Sequence, residues 1–329
     1  MHQYIIRRLL LNIIVLFLVA TMVFGVLRID SDGVIRRHTG GCASGADPQR
    51  LEECLKITEQ QLGLDESLPV QYVDFMWSTM RFDLGQSWNT GESVLSEITS
   101  RAGPSVELGL LQILVAIIVA LPVGIISAIR QDTWMDYALR FFSIALLGIP
   151  VFVLAIVVIM MTSRYAEGTF LPDWLGPHGS YASLASDPLQ NLKIMAGPAL
   201  VGGLGTGAII MRFLRSQMLE VLRQDYVRTA WAKGLKERVV VVRHALKNAL
   251  IPVLTVIGIL LGSIVSGNVV LENIYRIPGV GFFVTASAAQ NPDFPVIQGV
   301  VLVVALSLVF VNLLVDIAYG WLDPRIRYS

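Results

Sequence analysis

Long apolar blocks separated by polar stretches dominate the chain. Six of these blocks have about the 20 residues that one crossing of a lipid bilayer requires. Because backbone polar groups cannot stay unpaired in hydrocarbon, each block is predicted to be an α-helix. The predicted spans are 9–27, 106–128, 139–162, 194–213, 251–270 and 296–321.

The polar segment at 28–104 has a different pattern from the other connections. Asp47 followed by Pro48 favours the start of a helix, and Gly63 favours its end. Ser67 opens a second stretch in which apolar residues recur near helical spacing. We therefore predict two amphipathic helices that form a small cap on the membrane surface.

Lysine and arginine are concentrated in alternate connections, and this pattern predicts the orientation of the chain. Cytoplasmic loops of membrane proteins are enriched in these residues. The basic positions are Arg7, Arg8, Arg130, Arg140, Arg212, Arg215, Arg223, Arg228, Lys233, Lys236, Arg238, Arg243, Lys247, Arg325 and Arg327. With six spans, all of them lie on one side. Both termini are therefore predicted to be cytoplasmic, with 28–104 on the other side.

Composition agrees with a membrane protein. Hydrophobic residues make up 54% of the 329 residues and charged residues 15%, whereas soluble domains have about 25% charged residues. The formal net charge of zero gives no sign of nucleic-acid binding. The apolar run after Arg8 has no small-residue cleavage site, so it is interpreted as an uncleaved first span. The predicted divisions are 1–27, 28–104 and 105–329.

Cysteines and histidines are few. Cys42 and Cys54 both lie in the predicted outside segment, where they either form a disulfide or remain two free thiols. The four histidines are scattered without the spacing of metal ligands, so no metal site is predicted.

The connection at 214–250 is basic and amphipathic. Asp225 is predicted to be the N-cap of a short helix, and Gly234 is predicted to end it. Two interpretations are open from the pattern alone. The helix is either a stiff lever for a partner protein, or part of a basic loop that fixes orientation and touches anionic lipid headgroups.

The stretch DYVRTAWAKGL, followed by RHALKNALIPVL, resembles the coupling loop of membrane subunits of ATP-binding-cassette importers. It is most similar to the dipeptide/oligopeptide/nickel permease branch. Arg228, Thr229 and Ala230 stand where the wider family has Glu-Ala-Ala and the branch has Arg-Thr-Ala. Gly234 takes the place of the family glycine. Trp231 departs from the branch, which commonly has Arg or Lys there.

Other segments match the same branch in the same order. They are YIIRRLLLNIIV, LGLDESLPVQYVDFMWSTMRFDLGQSW, ENIYRIPGVGFFVTASAAQNPDFPVIQGVVLVVAL and LVDIAYGWLDPRIRY. The resemblance therefore covers nearly the whole chain. One departure is RIDSDG, which stands after the first span in place of a Pro-Gly-Asp-Pro-like turn. It leaves open how the outside cap meets a delivery protein.

The resemblance implies a fold and a role. The fold is an all-α integral membrane fold of the type I importer permease, in the inner (cytoplasmic) membrane. This chain would form half of a pathway for dipeptides or oligopeptides, paired with a second, homologous permease subunit. A heterodimer is expected, although a homodimer is open. An extracytoplasmic binding protein would deliver the peptide, and two partner ATPases would carry ATP and Mg²⁺.

The same resemblance implies which residues couple the chain to those ATPases: Asp225, Tyr226, Arg228, Thr229, Ala230, Lys233 and Gly234. The sequence itself has no G-x-x-x-x-G-K-[ST] phosphate loop. We therefore expect no ATP hydrolysis, no cofactor and no enzymatic activity on this chain.

The fourth to sixth spans contain a few further candidates. Ser263, Ser266 and Asn268 are candidates for the translocation path, and Glu272 is expected at the interface with water. Glycines 202, 203, 205 and 207 indicate either a gate hinge or pore-lining stretch, or close helix packing, and packing is the favoured interpretation.

Rival classes have weaker support. An ion-coupled carrier usually buries ionisable groups at mid-membrane, and no such group is evident in the blocks. An intramembrane enzyme would need a nucleophile with its base, paired carboxylates or metal ligands within the spans, and none is visible. A channel subunit fits six helices but leaves the coupling-like loop unexplained.

Overall fold

The computed structural model describes residues 2–29, 48–61, 65–165, 175–176, 179–262, 264, 268–289 and 292–322. Within these ranges the elements are helices, and extended backbone pairs only in an isolated bridge between Gln86 and Ser93. The helices are α1 (His2–Ile29), α2 (Pro48–Gln61), α3 (Leu68–Met80), α4 (Val94–Ile129), α5 (Trp134–Gly148), α6 (Val151–Tyr165), α7 (Pro188–Leu222), α8 (Asp225–Ala232), α9 (Glu237–Val239), a π-helical segment (Val240–Leu246), α10 (Lys247–Gly262), α11 (Val269–Tyr275), α12 (Val280–Ala289) and α13 (Phe294–Leu322).

Five stretches of helix are long and apolar enough to cross a membrane: Ile6–Val26, Val94–Ile129, Pro188–Leu222, Glu237–Leu261 and Phe294–Val315. The bent pair α5 and α6 makes a sixth candidate if it counts as one span. The prediction of an all-α membrane fold is confirmed, and the number of candidate spans is five, or six if the bent pair is counted as one. Both predicted amphipathic helices are also present, as α2 and α3, with Ser67 at the N-cap position of α3.

The predicted third span is not one continuous helix. α5 and α6 meet at an angle of 103°, and the break lies at Ile149 and Pro150. Proline lacks a backbone N–H and disfavours the helical conformation of the residue before it. Ile149 is accordingly extended, with φ −87° and ψ 118°. The prediction of one helix over 139–162 was therefore wrong, and Pro150 is the reason.

Two predicted helix ends were also wrong. α7 continues past the predicted end at 213 to Leu222, because Leu214 and Met218 keep an apolar, fully buried face while polar residues occupy the other face. The predicted fifth span does not run unbroken to 270. α10 ends at Gly262, and a separate helix begins at Val269 with the Asn268 side chain as its N-cap.

The chain divides into two compact units. One consists mainly of residues 103–281 and 310–329. Its core includes a close approach of α4 and α7, where a Cβ on Gly203 would lie 2.7 Å from Val115 Cβ and one on Gly202 would lie 2.5 Å from the Gln112 side chain. The packing interpretation of these two glycines is confirmed. Gly205 is the exception, because a Cβ there would meet nothing within 4 Å.

The other unit consists of residues 2–102 and 282–309. Here α1 packs on α3 through Tyr72, whose ring contacts the rings of Phe17 and Phe24 edge-on. Tyr72 also shares a hydrogen bond of 2.8 Å with Thr21. The buried Asp293 carboxylate accepts a hydrogen bond from Ser87 Oγ at 2.6 Å.

Candidate coupling site

A sharp turn at Arg223 and Gln224 separates α7 from the short helix α8. The Gln224 backbone is extended, and its carbonyl accepts hydrogen bonds from the N–H groups of Val227 at 3.0 Å and Arg228 at 3.2 Å. Gln224 is therefore at the N-cap position, and the prediction that Asp225 is the N-cap was wrong. Asp225 lies in the first turn, where its carboxylate still interacts favourably with the helix dipole.

Gly234 ends this helix as predicted. Its φ of +73° lies in the left-handed region, which glycine adopts without steric cost. Its N–H donates to the Trp231 carbonyl at 2.9 Å, and the Leu235 N–H donates to the Ala230 carbonyl at 3.4 Å. A Cβ at Gly234 would have open space around it, so backbone conformation and not crowding requires the glycine.

One face of α8 is buried against its neighbours. Val227 and Ala230 form a cluster with Val240 of the π-helical segment, and Val221 and Leu222 at the end of α7 pack against it. On another side, the Tyr226 hydroxyl accepts a hydrogen bond from Asn248 Nδ2 of α10 at 2.9 Å. The short helix is thus tied to both of the long helices between which it lies.

The opposite face of α8 is open to solvent. Asp225, Arg228, Thr229 and Lys233 are exposed, and an ion pair of 3.5 Å joins Arg228 to Asp225. Of the seven predicted coupling residues, Ala230 is buried and Gly234 acts through the backbone. The other five lie on accessible surface, including Tyr226, which is half exposed.

Apolar side chains extend this surface beyond the predicted set. Trp231 is 45% exposed and Leu235 is 37% exposed, one on each side of the Gly234 turn. Val239 and Val242 add further exposed apolar area along the chain. Trp231 was noticed in the sequence only as a departure from the branch. Its exposure on a solvated helix is the signal of an interaction surface.

A buried ion pair lies near the same end of α7. Asp136 of α5 is fully buried, and Arg215 binds both of its oxygens, through Nε at 2.9 Å and Nη2 at 2.8 Å. Ser127 Oγ donates to the same carboxylate at 2.5 Å. The sequence interpretation used Arg215 only for topology and missed Asp136. The available signal was Thr133, whose hydroxyl accepts from the Asp136 N–H as the N-cap of α5.

A second buried carboxylate, Glu272, contacts α4 at Ser105, nearer the N-terminal end of that helix. Glu272 accepts hydrogen bonds from Ser105 Oγ at 2.8 Å and from the Asn268 N–H at 3.1 Å. It is fully buried, so its expected place at the interface with water was wrong. A Cβ on Gly279 would collide with both Glu272 and Ser105, so the glycine makes room for the carboxylate.

The predicted pathway residues are only partly described. Asn268 is half buried and points its amide toward Gln112 Oε1, at 3.5 Å. Ser263, Ser266 and Cys42 lie outside the described residues, as does the side chain of Cys54. Within the described part of the chain, no group of three His, Cys, Asp or Glu side chains is placed to hold a metal ion.

Two family models together cover almost the whole chain. Residues 120–328 match the model described as "Binding-protein-dependent transport system inner membrane component". The chain belongs to this family. Residues 1–109 match the N-terminal model of the membrane components of the same transport systems.

Relatives that align with this chain over its full length are named as permeases of peptide transport systems. A protein named as a peptide permease in Brucella suis biovar 1 is 37% identical over 335 residues. The dipeptide transport system permease protein DppB is 36% identical over 343 residues in Alkalihalophilus pseudofirmus and 33% over 353 residues in Escherichia coli K12. Each alignment covers 100% of both chains.

Family membership fixes the architecture and the general role. The chain is an integral membrane permease with the type I fold of ATP-binding-cassette importers. It is the membrane-spanning subunit of a transport system that also contains ATPase and binding-protein components. The rival interpretations as an ion-coupled carrier or a channel are not favoured.

Proposed function

We propose that this chain forms half of the translocation pathway of a peptide importer, and that partner ATPases drive it through α8. The names of the full-length relatives support a dipeptide or oligopeptide as cargo. The main evidence for the coupling role is the way in which α8 packs against its neighbours. It has one buried face tied to α7 and α10 and one exposed face with apolar side chains.

The contacts of α8 suggest how force would pass into the membrane. An ATPase that grips Trp231 and the exposed polar residues would move α8 as a rigid body. The Val227–Ala230 cluster would carry that movement to α7, and the Tyr226–Asn248 hydrogen bond would carry it to α10. To reverse a 1:99 balance between two conformations, ATP binding must favour one of them by about 5.5 kcal/mol.

The remaining features of the assembly follow from the same proposal. ATP and Mg²⁺ would be bound by the two ATPase subunits, and this chain would have no enzymatic activity of its own. Both termini would be cytoplasmic in the inner membrane, with 28–104 outside, facing the binding protein. A second, homologous permease would complete the pathway, and Ser263, Ser266 and Asn268 would face it.

Co-purification from membranes that contain the complete transport system tests the coupling role. Trp231→Glu changes the exposed surface and leaves the buried cluster intact, so we expect loss of the ATPase with a normally folded permease. Ala230→Glu forces a carboxylate into the cluster and should also release the ATPase, with some loss of thermal stability. Arg130→Glu is the control, because Arg130 is exposed in the turn before α5 and belongs neither to α8 nor to its buried cluster.

The outcomes separate the possibilities. Loss of the ATPase from both α8 variants but not from Arg130→Glu would support the proposal. Retention by Trp231→Glu and Ala230→Glu together would exclude α8 as the main contact. Absence of any ATPase with the unchanged chain would refute the role, and peptide uptake by the intact system then tests the cargo separately.

A further inference from the structure

A cavity of about 130 Å³ lies beside the Asp136–Arg215 ion pair and is partly open at the protein surface. This is far more than the roughly 10–15 Å³ that a single water needs. Three arginines are among its lining residues, Arg140, Arg212 and Arg215, together with Val123 and Ile144. The cavity therefore combines a cationic part with an apolar part.

The three arginines are not equally neutralised. Arg215 uses Nε and Nη2 to bind both oxygens of Asp136. Arg140 reaches the same carboxylate only at 3.6 Å, and its buried Nε has no hydrogen-bond partner. Arg212 is exposed and takes part in none of the ion pairs found among the described residues. The lining residues thus include three arginines and no carboxylate, so positive charge is in excess around the cavity.

The surface beside the cavity has the character of a membrane boundary. Trp134, Tyr137, Phe141 and Ile144 lie on one face of α5, at spacings of three and four residues. All four are strongly exposed, with values from 56% to 77%. Tryptophan and tyrosine are enriched at the headgroup level of membranes, and phenylalanine and isoleucine suit the hydrocarbon. Along the helix, this face changes from residues typical of the headgroup level to residues that suit the hydrocarbon, and Arg140 lies next to the change.

We infer that this cavity binds the phosphate of an anionic phospholipid. The phosphate would lie between Arg140 and Arg212, and an acyl chain would run along Ile144 and Phe141. Arg215 would be held back by Asp136 and would contribute positive potential without direct contact. In the proposed orientation of the chain the site faces the cytoplasmic leaflet, whose anionic lipids attract basic residues near the surface.

Native mass spectrometry of the complete transport complex, purified in mild detergent, measures this binding directly. Phosphatidylglycerol and phosphatidylcholine are added at matched concentrations, and bound lipid is counted for each. A surface arginine near anionic lipid contributes enough that its loss weakens binding about five-fold. We expect that change for Arg212→Gln and about 25-fold for Arg212→Gln combined with Arg140→Gln. Arg223→Gln is the matched control, because Arg223 lies in the turn directly after the same helix and outside the cavity lining.

Inorganic phosphate distinguishes a lipid from a soluble anion, because it lacks the acyl chains. For a lipid site we expect excess inorganic phosphate to leave the bound phosphatidylglycerol in place, and Arg212→Gln to keep the melting temperature of the unchanged complex. Displacement by inorganic phosphate would assign the cavity to a soluble anion and overturn the proposal. Equal retention of both lipids, or an equal loss in Arg223→Gln, would overturn it as well.

The same lipid-binding measurement on the permease purified without its partners is the last test. If anionic-lipid selectivity appears in that sample and disappears in the complete complex, the face belongs to the interface with another subunit, and the lipid site is refuted. Lipid binding to the isolated permease does not require ATPase binding, so this sample can be measured even if the coupling role fails.

Discussion

Two serines of α4, one nearer its N-terminal end and one near its C-terminal end, each donate a hydrogen bond to a buried carboxylate, but the two carboxylates have different surroundings. At one end Ser105 donates a hydrogen bond to the buried Glu272, and at the other Ser127 donates one to the buried Asp136. At 1.5 Å per residue the two serines are about 33 Å apart along the helix, close to the thickness of a bilayer core. The two serine–carboxylate contacts are thus separated by about one bilayer thickness along the helix.

The surroundings of the two carboxylates differ. At the Ser127 end, the Arg215 guanidinium supplies two charge-assisted hydrogen bonds to Asp136, beside one from the Asp132 backbone N–H. At the Ser105 end, the Asn268 N–H donates to Glu272, and the Val280 N–H donates to Ser105 Oγ at 2.8 Å. Gly279 and Gly281 allow that close backbone approach. The stability of the Ser127 end should therefore be sensitive to loss of charge, and the stability of the Ser105 end to added side-chain volume.

Arg215→Ala should have the largest effect. It leaves the Asp136 carboxylate buried without its main partner, and breaking a buried ion pair in this way costs about 3–5 kcal/mol. Thermal unfolding of the purified protein should show a large fall in melting temperature. Arg223→Ala, in the exposed turn directly after the same helix, should show almost none. Equal effects of the two substitutions would contradict a special role for the buried pair.

Gly279→Ala tests the volume sensitivity of the Ser105 end. The added methyl group would collide with the Glu272 carboxylate and Ser105 Oγ, and such overpacking costs about 1–3 kcal/mol. Gly103→Ala is the control, because a Cβ there meets nothing within 4 Å. The same unfolding assay applies. A stability of Gly279→Ala equal to that of Gly103→Ala would mean that the carboxylate moves aside at little cost.

A pair of glycines on α7 shows whether volume sensitivity is confined to that end. Gly203→Ala should destabilise by about 1–3 kcal/mol, because its Cβ would lie 2.8 Å from the Gln112 carbonyl oxygen, a backbone atom that cannot rotate away. Gly205→Ala has free space and should be neutral or slightly stabilising. Melting temperatures in the reverse order would refute the close packing of α4 on α7.

Arg228→Gln should have the smallest effect and tests whether charge matters only where it is buried. Its partner Asp225 is three residues away on the same helix, and both side chains are largely exposed. Such pairs contribute less than about 0.5 kcal/mol, and salt screens them. We expect an unchanged melting temperature at low and high salt. A marked loss would place Arg228 in a tighter contact than the described one.

Local signals account for what the sequence predicted well. The length of the apolar blocks predicted the spans, and Gly234 predicted the end of α8, because both signals lie within the segment that they describe. The seating of Ala230 against Val240 was not predicted, because it depends on how the chain turns back after Gly234. The Ser105–Glu272 contact joins residues distant in sequence, and no periodicity in either segment reveals it.

The π-helical segment at 240–246 is a place where the chain could lose one residue without disturbing the helices beside it. A π turn closes its hydrogen bond over one more residue than an α turn, so the segment holds a surplus residue between two regular helical stretches. Removing one residue there would restore α geometry and leave α9 and α10 in the same rotational phase. Removing one residue inside α10 would instead turn everything beyond it by about 100°. We therefore expect a one-residue deletion to be tolerated in this segment and not in α10.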